Sequence, residues 1–219
     1  MYVAMSEALD AADADSGAAV VLIHGQADLF SAGNDLGDFL EAGSRQESAA
    51  PRFLRTIASV RKPIVAAVGG PAIGIGTTLL LHCDMVIAAD DARFQLPFVS
   101  LGLCPEAGSS LLLPQMAGHR LASELMLLGD VFDSAVAQRA GIVSRVVPAP
   151  ELLTHARAVA ARLAAQPADA LATTKELLKR PAGRSVLQAI EAELPQFERL
   201  LASPTARSIF QSFLDKRSR

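Results

Sequence analysis

The chain has no tryptophan, a single tyrosine, two cysteines and no surplus of positive charge. Each shortage removes a class of function. With Tyr2 as the only tyrosine and no indole, it has little with which to build a base-stacking platform. Twenty Lys and Arg against 23 Asp and Glu leave a net charge of −3, and the pI is near 5.8. No basic stripe for a nucleic acid is present, so nucleic acid is excluded as a partner. Cys83 and Cys104 form no metal or redox spacing, so no metal is expected and a reducing cytoplasm is the simplest location. No apolar run approaches a membrane span: "LLLHC" and "LLLP" are too short, and no membrane partner is expected. The opening "MYVAMSEALDAADADSG" carries acids and no basic segment, which excludes a signal peptide.

What remains is 219 residues, 51% of them hydrophobic, enough for a core of one sizeable domain. "YVAMSEALDAADAD" has helical spacing. "AAVVLIHG" (18–25), "RKPIVAAVGG" (61–70) and "DMVIAAD" (84–90) are short continuous apolar runs, the pattern of strands buried on both faces of a parallel sheet. "AGIVSRVV" (140–147) is a fourth. Between them lie a polar and then helical stretch and "GIGTTLLLHC", a short apolar helix. Alternating strands and helices predict an α/β fold. From residue 150 the chain reads as four amphipathic helices separated by Pro, Gly or Ser. The expected division is a core at 1–149 and a helical region at 150–219.

Most motifs of catalysis are missing. Gly74-Ile75-Gly76 begins a dinucleotide fingerprint, but Leu79 stands at its third glycine. There is no phosphate-loop lysine, no HExxH, and no GxSxG elbow around Ser109 or Ser110. His24 and His82 read as structural residues. Two glycine-rich strand ends stand out instead, "FSAGNDL" (30–36) and "GGPAIGIGTTLL" (69–80). Glycine lets backbone approach a ligand closely, and a helix start leaves N–H groups free. Two such loops from neighbouring strands can each present one N–H to a single oxygen, as an oxyanion hole requires. Either loop alone reads as an ordinary turn.

Together with "KPIVAAVGGPAIGIGTTLLLHCDMVIAADDARFQLPFVSLGLCPEAGSS" and "AVAQRAGIVSRVV", these loops resemble the crotonase (enoyl-CoA hydratase/isomerase) superfamily over nearly the whole chain. The resemblance implies a ββα spiral, a C-terminal helical trimerisation region, acyl-CoA thioester substrates, no separate cofactor, and a homotrimer or hexamer. It places the oxyanion donors on the backbone N–H groups of Asn34 and Ile75. It places the CoA and thioester contacts on Ser31, Ala32, Gly33, Asp35, Leu36 and Gly74, and pocket wall on Phe98 and Leu101. Family members carry a preceding strand pair, so the N-terminal strands are expected to be missing here. Three sources for the short start compete: a late start codon, a truncation, or a natural short form.

In the hydratase branch two glutamates share the proton transfers; the matching positions here are Thr78 and Phe98. The pattern is closer to the peroxisomal type of Δ3,Δ2-enoyl-CoA isomerases, whose single glutamate sits in a "PEG"-like turn. That position is Glu106, in "LGLCPEAGSS". A glutamate in a turn is ordinarily a solvated charge, or a carboxylate favoured by a helix N-terminus. With Leu101, Leu103, Pro105 and Phe98 around it, and with the resemblance, Glu106 is expected to be one base that moves both protons. Asp35 is expected to support its loop, and Cys104 to be a small buried hydrophobe rather than a nucleophile. The segment 38–54 reads as a mobile lid. The rival readings are an enoyl-CoA hydratase or other thioester-enolate enzyme, and a catalytically silent acyl-CoA-binding protein of the same fold.

Overall fold

The computed structural model describes residues 1–26, 28–35, 37, 49–179 and 185–217. The elements are α1 (Tyr2–Ala14), β1 (Val21–His24), α2 (Ala49–Ser59), β2 (Ile64–Val68), β3 (Pro71–Ile73), α3 (Ile75–Thr78), β4 (Met85–Ala89) and β5 (Arg93–Gln95). They continue with α4 (Ser109–Leu128), β6 (Phe132–Asp133), α5 (Ser134–Arg139) and β7 (Arg145–Val147). Four helices close the chain: α6 (Leu152–Ala164), α7 (Ala168–Leu178), α8 (Val186–Leu201) and α9 (Pro204–Arg217).

The four continuous apolar runs form one parallel sheet in the order β1-β2-β4-β7. Val65 pairs with Met85 and Ile87 with Arg145. Every residue of β2 is buried, as the unbroken apolar pattern requires of a strand covered on both faces. A second sheet, β3-β5-β6, is built from strands of two or three residues. Such strands are too short to show a period in sequence, and they were not expected. Two successive strand pairs, β2–β3 and β4–β5, each begin in the first sheet and end in the second. This handover carries the chain from buried sheet to site. The stretch expected as one helix at "GIGTTLLLHC" is a single α turn followed by a 3-10 turn at Leu79–His82.

Beyond residue 150, α6 lies on β1, β2 and β4, while α8 packs on α2 and α4. Ala156, Ile190, Phe197 and Phe210 belong to the same hydrophobic cluster as the sheet. The last strand thus ends at Val147, and α6, α8 and α9 share the core. Ser185 caps α8 through a reciprocal pair with Gln188: its hydroxyl accepts from the Gln188 N–H, and the Gln188 side chain accepts from the Ser185 N–H. Ser185→Ala is expected to lower stability by about 1 kcal/mol, read as a lower urea midpoint with an unchanged slope.

Candidate active site

The two glycine-rich loops are stitched together backbone to backbone. Ser31 bridges to Ala72; the Ser31 N–H donates to the Pro71 carbonyl at 3.0 Å, and the Ile73 N–H donates to the Ser31 carbonyl at 2.9 Å. Gly76 explains why the approach is possible. A Cβ there would lie 2.8 Å from the Ser31 Cβ and 2.9 Å from its carbonyl oxygen, so any side chain would force the loops apart. Gly74, at φ 57° and ψ −117°, turns the chain from β3 into α3 in a conformation that L side chains avoid. Its N–H donates to the Gln95 carbonyl at 3.0 Å, and its carbonyl receives the N–H groups of Thr77 and Thr78. The N–H groups of Asn34 and Ile75 have no partner among the described residues.

Both residues border a cavity of ≈ 830 Å³. Ala32, Gly33, Asn34 and Asp35 form one wall of it, and Gly74 and Ile75 the next. Phe98, Leu101 and Leu103 supply an apolar side, and Phe197, Ile209 and Phe213 come across from α8 and α9. The structure therefore brings together eight of the sequence-predicted residues: Ala32, Gly33, Asn34, Asp35, Gly74, Ile75, Phe98 and Leu101. Ser31 is not on that wall; its hydroxyl accepts from the Gly33 N–H at 3.3 Å. Asp35 also shapes its loop, accepting the Gly37 N–H at 2.8 Å. Leu36, and residues 38–48 of the expected lid, lie outside the described residues; 49–54 are the start of α2.

Glu106 is 5% exposed. Its Oε1 has no hydrogen-bond partner among the described residues. Burial, and then the negative charge of Glu193, push its carboxyl up from the ordinary range to about 8. A solvated turn charge would show neither feature. A helix-capping carboxylate does exist here, but it is Glu193 of α8. Its oxygens accept the Gly108 N–H at 2.6 Å and the Ser110 N–H at 3.0 Å, and also the Ser110 hydroxyl. Glu193 thus occupies the N-terminus of α4, and Glu106 is left without that stabilisation.

The turn that carries Glu106 is held on several sides. Ala107 adopts φ 61°, unusual for a residue with a Cβ, and Gly108 follows at φ 68°. His82 donates from Nε2 to the Ala107 carbonyl at 2.8 Å. Burial pushes its imidazole down to about 4, so the ring is neutral and serves as a fixed donor. Ser109 donates both its N–H and its hydroxyl to the Glu106 carbonyl.

Glu106 itself is not among the residues of the cavity wall. Tyr2 links the two. Its hydroxyl donates to Oδ1 of Asn34, on the wall, and its ring packs against Phe53 at 5.4 Å between centroids. Burial and the Glu106 charge both push the Tyr2 hydroxyl above its usual range. Sequence reasoning passed over Tyr2 and Glu193 as site residues, and with them Phe197, Ile209 and Phe213 of the cavity. Cys104 is half-buried, and burial with the Glu193 charge raises its thiol, which leaves it a poor nucleophile.

At the two positions where a second acid would be needed, Thr78 is fully buried and Phe98 is 5% exposed. Among the described residues, no cluster of His, Cys, Asp or Glu could hold a metal, and no helix is long and apolar enough to cross a membrane.

Residues 1–219 match the family model described as enoyl-CoA hydratase/isomerase. The chain is 36% identical to a probable enoyl-CoA hydratase of Mycobacterium bovis, over 98% of this chain and 85% of that one. It is also 36% identical to the enoyl-CoA delta isomerase 2 of Rattus norvegicus, over 74% of this chain and 43% of that one. Among solved structures, Pseudomonas aeruginosa OdaA superposes with a TM-score of 0.92 at 43% identity, covering 97% of this chain and 87% of the other.

Proposed function

The chain belongs to the enoyl-CoA hydratase/isomerase family, and from that premise we propose that it shifts the double bond of a 3-enoyl-CoA to position 2, with Glu106 as the base. The thioester carbonyl points at the Asn34 and Ile75 N–H groups. Glu106 takes a proton from C2; the electrons of that C–H bond form a double bond between C1 and C2, and the carbonyl π electrons move onto the thioester oxygen. The resulting dienolate oxygen is held by the two amides, which are fixed before the reaction and need no rearrangement during it. The same carboxyl returns the proton at C4, and the double bond ends between C2 and C3. No atom is gained or lost.

The observation that carries this reading is the buried Glu106 carboxyl with an unpartnered oxygen. A carboxyl raised to about 8 is a stronger base than an ordinary glutamate once ionised, so it suits removal of a carbon-bound proton. Phe98, Leu101 and Leu103 set an apolar side against the site, which disfavours competing water at the dienolate.

Hydration is the second reading, favoured by the name of the Mycobacterium bovis relative. It needs a carboxylate to activate water and an acid to protonate C2. Thr78 and Phe98 supply neither, and the other buried acid, Glu193, uses its oxygens on the N-terminus of α4.

Products decide between them. The native chain is incubated separately with a 3-enoyl-CoA and a 2-enoyl-CoA, and products are identified by mass and NMR. The expected result is conversion of the first to the 2-enoyl isomer at unchanged mass. Dominant formation of 3-hydroxyacyl-CoA would overturn the reading in favour of hydration. Binding without turnover would leave the silent acyl-CoA-binding protein.

A further inference from the structure

We propose that Glu193 is a positioning residue for Glu106: from α8 it holds the turn that carries the base, and it sets a second negative charge beside it. The proposal rests on the isomerase reading for its functional meaning, while its geometry stands independently. The carboxylate of Glu193 is 8% exposed and reaches across 85 residues of sequence to the Gly108 N–H, and across 83 to Ser110. Those donors lie two and four residues after Glu106. Between them and the base sit Ala107 and Gly108, both in the left-handed region. A local turn with two such residues in succession is held against relaxation by contacts from outside. Glu193 supplies one such contact and His82 the other, through the Ala107 carbonyl.

The charge has a separate effect. Among the described residues, two effects on Glu106 are resolved. Burial comes first and Glu193 second. Tyr2 faces it from α1 and is neutral. Cys104, two residues before, has a raised thiol and is neutral as well. His82 meets the adjoining carbonyl rather than the carboxyl, and it is uncharged. Lys175 of α7 and Lys179 just past its end act on His82. Among the described residues Glu193 is thus a charged neighbour that opposes ionisation of Glu106, and removing its charge is expected to lower the pH at which the base becomes available.

The test is a titration of Glu106 that does not require turnover. Protein labelled with 13C at glutamate carboxyl carbons is titrated by NMR. The native chain is expected to show one glutamate signal titrating far above the rest, and Glu106→Gln is expected to lack it. In Glu193→Gln that signal is expected to move to lower pH. The acid limb of kcat/KM should move with it, kcat should fall, and KM should stay within about twofold. Ser185→Ala loosens the same helix without altering charge. It is expected to lower the Tm and leave the Glu106 signal where it is. If Glu193→Gln does not fold, Glu193→Asp keeps the charge but draws it back by one methylene, and a smaller shift of the same sign is expected. An unmoved signal in the Glu193 variant, an equal shift in Ser185→Ala, or a native Glu106 titrating with the ordinary glutamates would each overturn the proposal. A protein without isomerase activity that still shows the signal and its shift would overturn the reaction assigned above and leave the role of Glu193 intact.

Discussion

Glu106→Gln is expected to lower the isomerisation rate by at least about 10³-fold, because a positioned base typically contributes about 10²–10⁴-fold and here one group makes both transfers. The amide keeps the size of the side chain and cannot accept a carbon-bound proton at neutral pH. The loss should fall on kcat, with acyl-CoA binding retained, as measured by isothermal titration with a saturated acyl-CoA. The native enzyme should gain activity as pH rises toward about 8, since the base works only when ionised. Stability runs the other way. Burial pushes the folded carboxyl up to about 8 from the ordinary 4.5, so its contribution is fully present below about 4.5 and is lost as pH rises through about 8. Glu106→Gln has no charge to bury and escapes that loss. Above about pH 8 the variant should melt at a higher temperature than the native chain, and near pH 4 the two should converge. A variant that keeps most of its activity would sink the assignment of the base.

Ile75→Pro is expected to cost about 10²–10³-fold in kcat, the usual loss when one oxyanion donor is removed. The donor is a main-chain N–H, so ordinary side-chain substitutions leave it in place. Proline at the first position of a helix is the exception: it has the φ a helix needs and no N–H to offer. Ile75 is the first residue of α3 and lies buried, so the variant also loses packing. Ile75→Ala separates the two effects, because it removes more of the side chain and keeps the N–H. The expected order is a large drop in kcat for Ile75→Pro, a lowered Tm for both, and near-native kcat for Ile75→Ala. Equal activity in the two variants would mean that the Ile75 amide does not touch the reacting oxygen.

β2, and β4 after Met85, were legible because burial on both faces leaves an unbroken apolar run. β1 and β7, at the two ends of the sheet, form from similar runs but are only partly buried, which corrects the expectation that all four strands are covered on both faces. The second sheet was not legible, since "PAI", "RFQ" and "FD" are too short to carry a pattern. The glycine loops were legible as positions where a Cβ would intrude, and Gly76 against Ser31 is such a place. Glu106 was visible as a charge between apolar runs. Its burial was not, because burial depends on Tyr2 at one end of the chain and α8 near the other. Glu193 had a signal that went unread. It lies on the buried stripe of α8 with Ala189, Ile190 and Phe197, and an acid on an apolar stripe calls for a partner. Sequence alone gives no means of naming Gly108 and Ser110 as that partner.

The hydrogen bond from Gly108 to Glu193 ties a reactive turn to a helix 85 residues downstream, and this has a consequence in time. A polypeptide leaving the ribosome presents the sheet strands and the Glu106 turn before the helix that anchors that turn. Closing a loop of that length carries an entropic penalty that neighbouring contacts must first offset. The anchored form of the Glu106 turn is therefore expected only once α8 has emerged and docked, after the strands that precede it are available to pair.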